Sequence, residues 1–331
     1  MWIAIAQQAA IEATRQLEII KPSLDKEIDI FSIIENAGLP LMLRPMRRLL
    51  GVYLPADAKV GSTPGILINS NHPRSLQRYT AAHEFAHHLQ DKMLSLDEQI
   101  EVLGRSQQAS LLPRERFAEV FASWFLMPLE LINNLAKRLG INIKSSSPKE
   151  IYQLSLVLGT SYKATIAQLL SLGEITYTQA TSLRKTQPRD IKIGLCYEKP
   201  LFNLRNDIWS ITEKYNGHVI HPRVFDELHL SMIEMPSTGY VWVPMFDSSK
   251  ICLNTERFIE PTDASYSDVE GEHEFRFILN ESGPFKIAFS MQRPWLGIPS
   301  QVKQFSMDLL IEEELLGINP NFLLAGAGVI Q

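Results

Sequence analysis

A chain of 331 residues with 45% hydrophobic and 21% charged side chains has the make-up of a globular protein with room for two or three domains. Its formal net charge of -5 excludes a chain-wide polyanion binder, and its two cysteines, Cys196 and Cys252, exclude a disulfide scaffold or a CxxC metal cluster. No uncharged apolar run reaches the ~18 residues of a membrane span and the first residues carry no basic flank, so no membrane partner and a cytoplasmic location are expected.

Helical spacing of Ala9, Ile11, Ala13, Leu17 and Ile20 predicts a first helix over 6–20, ended by Lys21-Pro22. A short helix follows over 30–37, closed by Gly38, and short strands are expected at 41–43, 51–54 and 65–69. The pattern is helical again over 75–93 and 114–127, stopping at Pro128, and almost wholly helical over 129–192. There Ser147-Pro148-Lys149-Glu150 has the form of a capping box with Pro in the first turn. Helices before and after Gly159-Thr160-Ser161 resemble a helix-turn-helix, and nine basic against three acidic residues give 137–192 a net charge of +6. From about 200 the texture changes to alternation (219–220, 228–232, 240–243, 251–253, 275–279, 285–289), punctuated by turn residues, as in a β-sandwich or barrel. The final run, Phe322 to Ile330, is apolar with small residues and has no assigned role.

Residues His83-Glu84-Phe85-Ala86-His87 lie in the helical stretch 75–93. Positions i and i+4 share a helix face, so both imidazoles can reach one metal ion, and Glu84 beside that face can act as general base on water polarised by it. Zinc suits imidazole and carboxylate ligands and leaves a position open for chemistry. A third ligand is required. No histidine continues the motif at the next spacing, and His88, rotated by about 100°, reads as a flanking residue. A carboxylate of the helix 114–127 is therefore expected, either Glu115 or Glu119. These two share a face at i, i+4, so one can bind metal while the other orients a ligand histidine.

The run 82–89, followed by Glu115-Arg116-Phe117-Ala118-Glu119-Val120-Phe121-Ala122 and on to Leu126-Met127-Pro128, resembles the ImmA/IrrE family of metallopeptidases, whose helix has the form E-x-x-A-N-x-F-A-x-x-L-L-M-P. The resemblance covers about 25–192. It implies Glu115 as the metal ligand and puts Glu119 where the family usually has Asn or Asp. It also implies a zinc-dependent endopeptidase that makes limited cuts in a protein partner, such as a helix-turn-helix repressor or a stress or defence effector of toxin type.

Pro236-Ser237-Thr238-Gly239-Tyr240-Val241-Trp242 and Gln292-Arg293-Pro294-Trp295 fall in turns between expected strands. They resemble two of the three inhibitory loops of chagasin-like cysteine-peptidase inhibitors, an immunoglobulin-like sandwich. That resemblance implies Thr238, Tyr240, Trp242, Arg293 and Trp295 as partner contacts. The third loop falls near 268–273, where this chain has one glycine and three acids instead of a glycine-rich turn.

The expected architecture is a multidomain α+β protein. A zincin-like peptidase domain spans 1–135, a helix-turn-helix-like extension 136–195, the β-sandwich 196–316 and a tail 317–331. The alternative is a regulatory binding protein that engages a peptidase through the sandwich or DNA through the helical segment. Direct DNA binding is not the expected role, since a +6 segment of short helices is more often a packing unit.

Overall fold

The computed structural model describes residues 2–57, 59, 61–90, 95–98, 112–196, 206–246, 251–260 and 270–313. The apolar run 322–330 and residues 268–269 of the third loop lie outside them, whereas 271–273 of that loop belong to a strand. Among the described residues no helix is long and apolar enough to cross a membrane. The chain is a mixed α+β protein in two compact units. One comprises residues 1–135 and 158–180, the other 136–157 and 181–314.

The first unit opens with α1 (Trp2–Ile20) and α2 (Ile30–Asn36), whose Asp29 cap accepts from the Ser32 amide. Strands β1 (Leu41–Arg44), β2 (Leu49–Leu54), β3 (Gly65–Asn69) and β4 (Ser95–Glu98) form one sheet in the order β1-β3-β2-β4. β1 runs parallel to β3, and the other pairs are antiparallel. A strand at 65–69 could pair with an extended substrate by strand addition, but β3 lies inside the sheet with both edges bonded, which excludes that role; among the described residues the outer strands are β1 and β4.

Helices α3 (Arg74–Gln90) and α4 (Pro113–Leu126) complete the layer. α3 packs on β2 and β3 on one side and on α4 on the other, and α1 packs on α4. Burial on two sides explains why nearly every residue from Gln77 to His87 is buried, polar ones included. Phe117, Phe121 and Phe125 stack along α4 at i, i+4 with centroids 6.3 and 5.4 Å apart, and Phe85 of α3 meets the last two at 6.3 and 6.2 Å. Ala118 and Ala122, both fully buried, let the helices approach.

Further helices are α5 (Leu129–Leu139), α6 (Pro148–Val157), α7 (Tyr162–Ser171), α8 (Tyr177–Lys185) and α9 (Pro188–Leu195). The Ser147 box is present: Ser147 Oγ accepts from the Glu150 amide at 3.3 Å, and Glu150 Oε2 accepts from the Ser147 amide at 2.8 Å. The helix-turn-helix-like pair is divided, with α6 grouped in the second unit and α7 in the first.

The second unit holds two four-stranded sheets. The first has β5 (Ile208–Thr212), β7 (Glu227–Glu234), β10 (Gly271–Leu279) and β9 (Ile251–Ile259) in the order β5-β7-β10-β9. The other has β6 (Val219–Ile220), β12 (Lys303–Ile311), β11 (Gly283–Gln292) and β8 (Val241–Pro244) in the order β6-β12-β11-β8. Alternate residues of both, among them Leu228, Leu230, Phe275, Phe277, Ile287, Phe289, Phe305 and Leu309, form one apolar core. A buried polar network fastens α6 and α9 to this unit. Tyr152 Oη donates to Asp207 at 2.8 Å, Lys192 Nζ meets the same carboxylate at 2.8 Å, and Arg223 pairs with it at 2.9 Å.

Candidate metal centre

α3 carries His83 and His87 one turn apart, and the aromatic contacts between α3 and α4 bring the first turn of α4 to them. His83 Nε2 lies 3.3 Å from His87 Nε2 and 3.2 Å from Glu115 Oε2, and His87 Nε2 lies 3.6 Å from that oxygen. These three residues form the one cluster of potential metal ligands found among the described residues, with their donor atoms all within 4.8 Å of one another. Burial alone would favour a neutral Glu115, but hydrogen bonds and charge interactions with His83 and His87 hold its carboxyl well below the usual carboxylate range. Arg114 Nε supports the anion at 3.2 Å from the other oxygen.

Glu119, one turn further along α4, is outside this cluster and pairs with Arg116 at 3.3 Å. His88 points elsewhere, its Nδ1 3.1 Å from Tyr53 Oη. Glu84 is fully buried beside the histidine face. Sequence reasoning missed Gly51 of β2, which faces it. A Cβ there would run into Thr80 Cγ2 and stand 3.2 Å from Glu84 Cγ, so a side chain at 51 would push α3 off the sheet at the acid itself.

At one end of the second unit, β8 begins where β11 finishes, Val241 opposite Gln292, and this register brings the 236–240 and 293–297 turns together. Arg293 Nε donates to the Thr238 carbonyl at 3.3 Å, and its guanidinium stands 4.7 Å from the centroid of the Tyr240 ring. Gly239, at φ +72°, leaves room that Trp295 fills: a Cβ there would meet the indole at 2.5 Å. Trp295 is nonetheless 69% exposed. Trp242 is not part of this surface. It is 2% exposed, belongs to the core, and donates its indole N–H to the Ile233 carbonyl at 3.0 Å, because its strand phase turns it inward.

Residues 35–169 match the family model described as IrrE N-terminal-like domain, and residues 222–309 match that of the chagasin family of peptidase inhibitors. The chain joins an IrrE-like peptidase domain to a chagasin-family domain. No curated protein sequence matches it. Among solved structures, the cysteine protease inhibitor EhICP2 from Entamoeba histolytica is 20% identical, with 32% of this chain and 96% of that one covered at a TM-score of 0.30. Amebosin, in a solution structure, is 21% identical over 32% and 98%, with a TM-score of 0.28. PbICP-C, solved in complex with falcipain-2, is 12% identical over 33% and 91%, with a TM-score of 0.20. The IrrE-like domain belongs to a metallopeptidase family, and its His83–His87–Glu115 cluster is a group able to bind a metal ion.

Proposed function

We propose that this chain is a zinc-dependent endopeptidase with a zincin-like centre that makes limited cuts in a protein partner. The observation that carries the reading is the convergence of His83, His87 and Glu115 from two helices. Ligand atoms around a tetrahedral zinc with bonds of about 2.0–2.2 Å sit roughly 3.3–3.6 Å apart. The spacings of 3.2, 3.3 and 3.6 Å fit that donor set. A zinc ion held there would supply Lewis acidity toward a peptide carbonyl and lower the pKa of water. His83 and His87 would bind through Nε2 and Glu115 through its carboxylate, with Arg114 orienting it. Glu84 would take the proton from the attacking water and return it to the leaving amine, and Glu119 would steady the helix that delivers Glu115.

Metal analysis of the purified full chain tests the reading. About one zinc per chain is expected, with cleavage lost on chelation, and Glu115→Ala should weaken zinc binding by at least about 100-fold. A metal-free chain, or cutting that ignores chelator, would sink it.

For the chagasin-family domain we propose an immunoglobulin-like sandwich whose Thr238, Tyr240, Arg293 and Trp295 engage the groove of a peptidase-like protein partner. The exposed indole of Trp295, backed by Gly239, is a rigid apolar tip suited to such a groove. Titrated against papain as a probe, the wild-type chain should bind and Trp295→Ala should bind about 10–30-fold more weakly, or about 1.4–2 kcal/mol. No binding by the wild type at micromolar concentration would end this part of the proposal.

A further inference from the structure

The strand register of the second unit builds a polar surface on the side of the sheet opposite its core. Ser210 of β5 stands across from His229 of β7, and His229 across from Arg276 of β10. In the neighbouring row Thr212, Ser231 and Glu274 line up in the same way. A β-sheet face of this kind is normally left to water. Here Lys149 and Leu195 close over it, leaving a cavity of about 350 Å³. Arg276 is only 5% exposed as a result, so a guanidinium is kept in an enclosed, polar hollow.

The charges lining the hollow are arranged in balance. Glu274 is gripped from the adjacent strand by Arg257 at 2.7 Å and stands 3.9 Å from Arg276. His229 Nε2 faces Glu227 at 2.9 Å. Glu272 accepts a hydrogen bond from Ser231 at 2.8 Å and is exposed at the surface, as is Lys149. Among the described residues that line the hollow, two cations, Arg276 and Lys149, thus stand against two carboxylates, Glu272 and Glu274. A dianion such as phosphate would meet both carboxylates and unbalance the cavity, whereas a molecule with one carboxylate and one ammonium leaves its net charge unchanged. The cavity volume is at the small end of ligand sites, which suits a metabolite and not a peptide segment.

We propose that this cavity binds a small zwitterion of the α-amino-acid class. Its carboxylate is taken by Arg276 and Lys149, its ammonium by Glu272, and the hydroxyls of Ser210 and Thr212 complete the polar lining. Because Lys149 belongs to α6 and Glu272 to the sheet, occupancy would fasten the helix to the strands as a second clasp beside the Asp207 network.

The experiment is isothermal titration of the full chain with each common amino acid, and with acetate, ammonium and inorganic phosphate at matched ionic strength. One or more amino acids should bind one to one with a submillimolar Kd, while acetate, ammonium and phosphate should not. Lys149→Glu and Glu272→Gln, both at exposed positions and compatible with folding, should each weaken binding by about 10-fold or more without changing the metal content. The proposal is overturned if no amino acid binds, if phosphate or acetate binds as well as the best zwitterion, or if both variants bind like the wild type. Arg276→Gln should also lose binding, with circular dichroism confirming that it folds.

Discussion

Glu84→Gln is expected to lower peptide-bond cleavage by about 10²–10⁴-fold, equivalent to roughly 2.7–5.4 kcal/mol of transition-state stabilisation, while the zinc content stays at the wild-type level. The substitution keeps the volume of the side chain and removes only its basicity. Glu84 is fully buried, and Gly51 allows β2 to approach it closely, so an isosteric amide fits where a larger side chain would not. The proposed ligands His83, His87 and Glu115 are untouched, and so is the aromatic contact of Phe85 with α4. The loss should therefore appear in kcat with little change in KM, measured on any protein that the wild-type chain cuts. A Glu84→Gln protein that cleaves within a few-fold of wild type would remove Glu84 from the chemistry. A protein that has lost its zinc would show instead that the residue supports the metal site.

The parts of this site that were legible in the sequence are those whose geometry is local. Two histidines at i, i+4 face one way wherever a helix forms, and the stretch 75–93 announces a helix. Glu115 is 32 residues from His83, and only a resemblance could choose it over Glu119. The structure brings Glu115 to the histidines and leaves Glu119 with Arg116, a distinction made by helix packing that helical periodicity does not contain. Gly51 was invisible for the same reason, since its need arises from α3 lying on β2. The interior place of β3 did have a signal. Ile66, Leu67 and Ile68 are apolar on both faces, as expected of a strand covered on both sides, and both of its edges are paired. In β8, Val241, Trp242 and Val243 are apolar in succession, so alternation could not say which side Trp242 would take. β5 opens with Ile208 and Trp209 buried in succession and so shows no clean alternation to read, although its Ser210 and Thr212 shape the polar cavity.

Glu27→Ala should destabilise the first unit by about 3 kcal/mol, the lower part of the range for breaking a buried ion pair. Arg78 sits on α3, five residues before His83, and is fully buried. Its guanidinium lies 3.4 Å from Glu27 and donates to the carbonyls of Gly159 at 3.1 Å and Leu158 at 3.5 Å. Gly159 adopts φ +63°, and a Cβ there would strike Glu27 and Arg78, so backbone, acid and base close on one another without room for a substitute. Removing Glu27 takes the anion from this buried cation while the two hydrogen-bonded carbonyls remain, which is why the lower end of the range applies. Arg74, partly exposed and 2.8 Å from the same carboxylate, is a weaker member, and Arg74→Gln should cost about 1 kcal/mol or less. Urea denaturation read at the midpoint, with an unchanged m-value, gives both numbers. Joining Glu27→Ala to Arg78→Met should recover part of the loss, since the double substitution leaves no uncompensated charge behind. A Glu27→Ala chain as stable as wild type would show that Arg78 is satisfied by the carbonyls alone. The purpose of the pair would then lie in setting the register of α3, and so the distance of its two histidines from Glu115, which a shift in metal affinity would reveal.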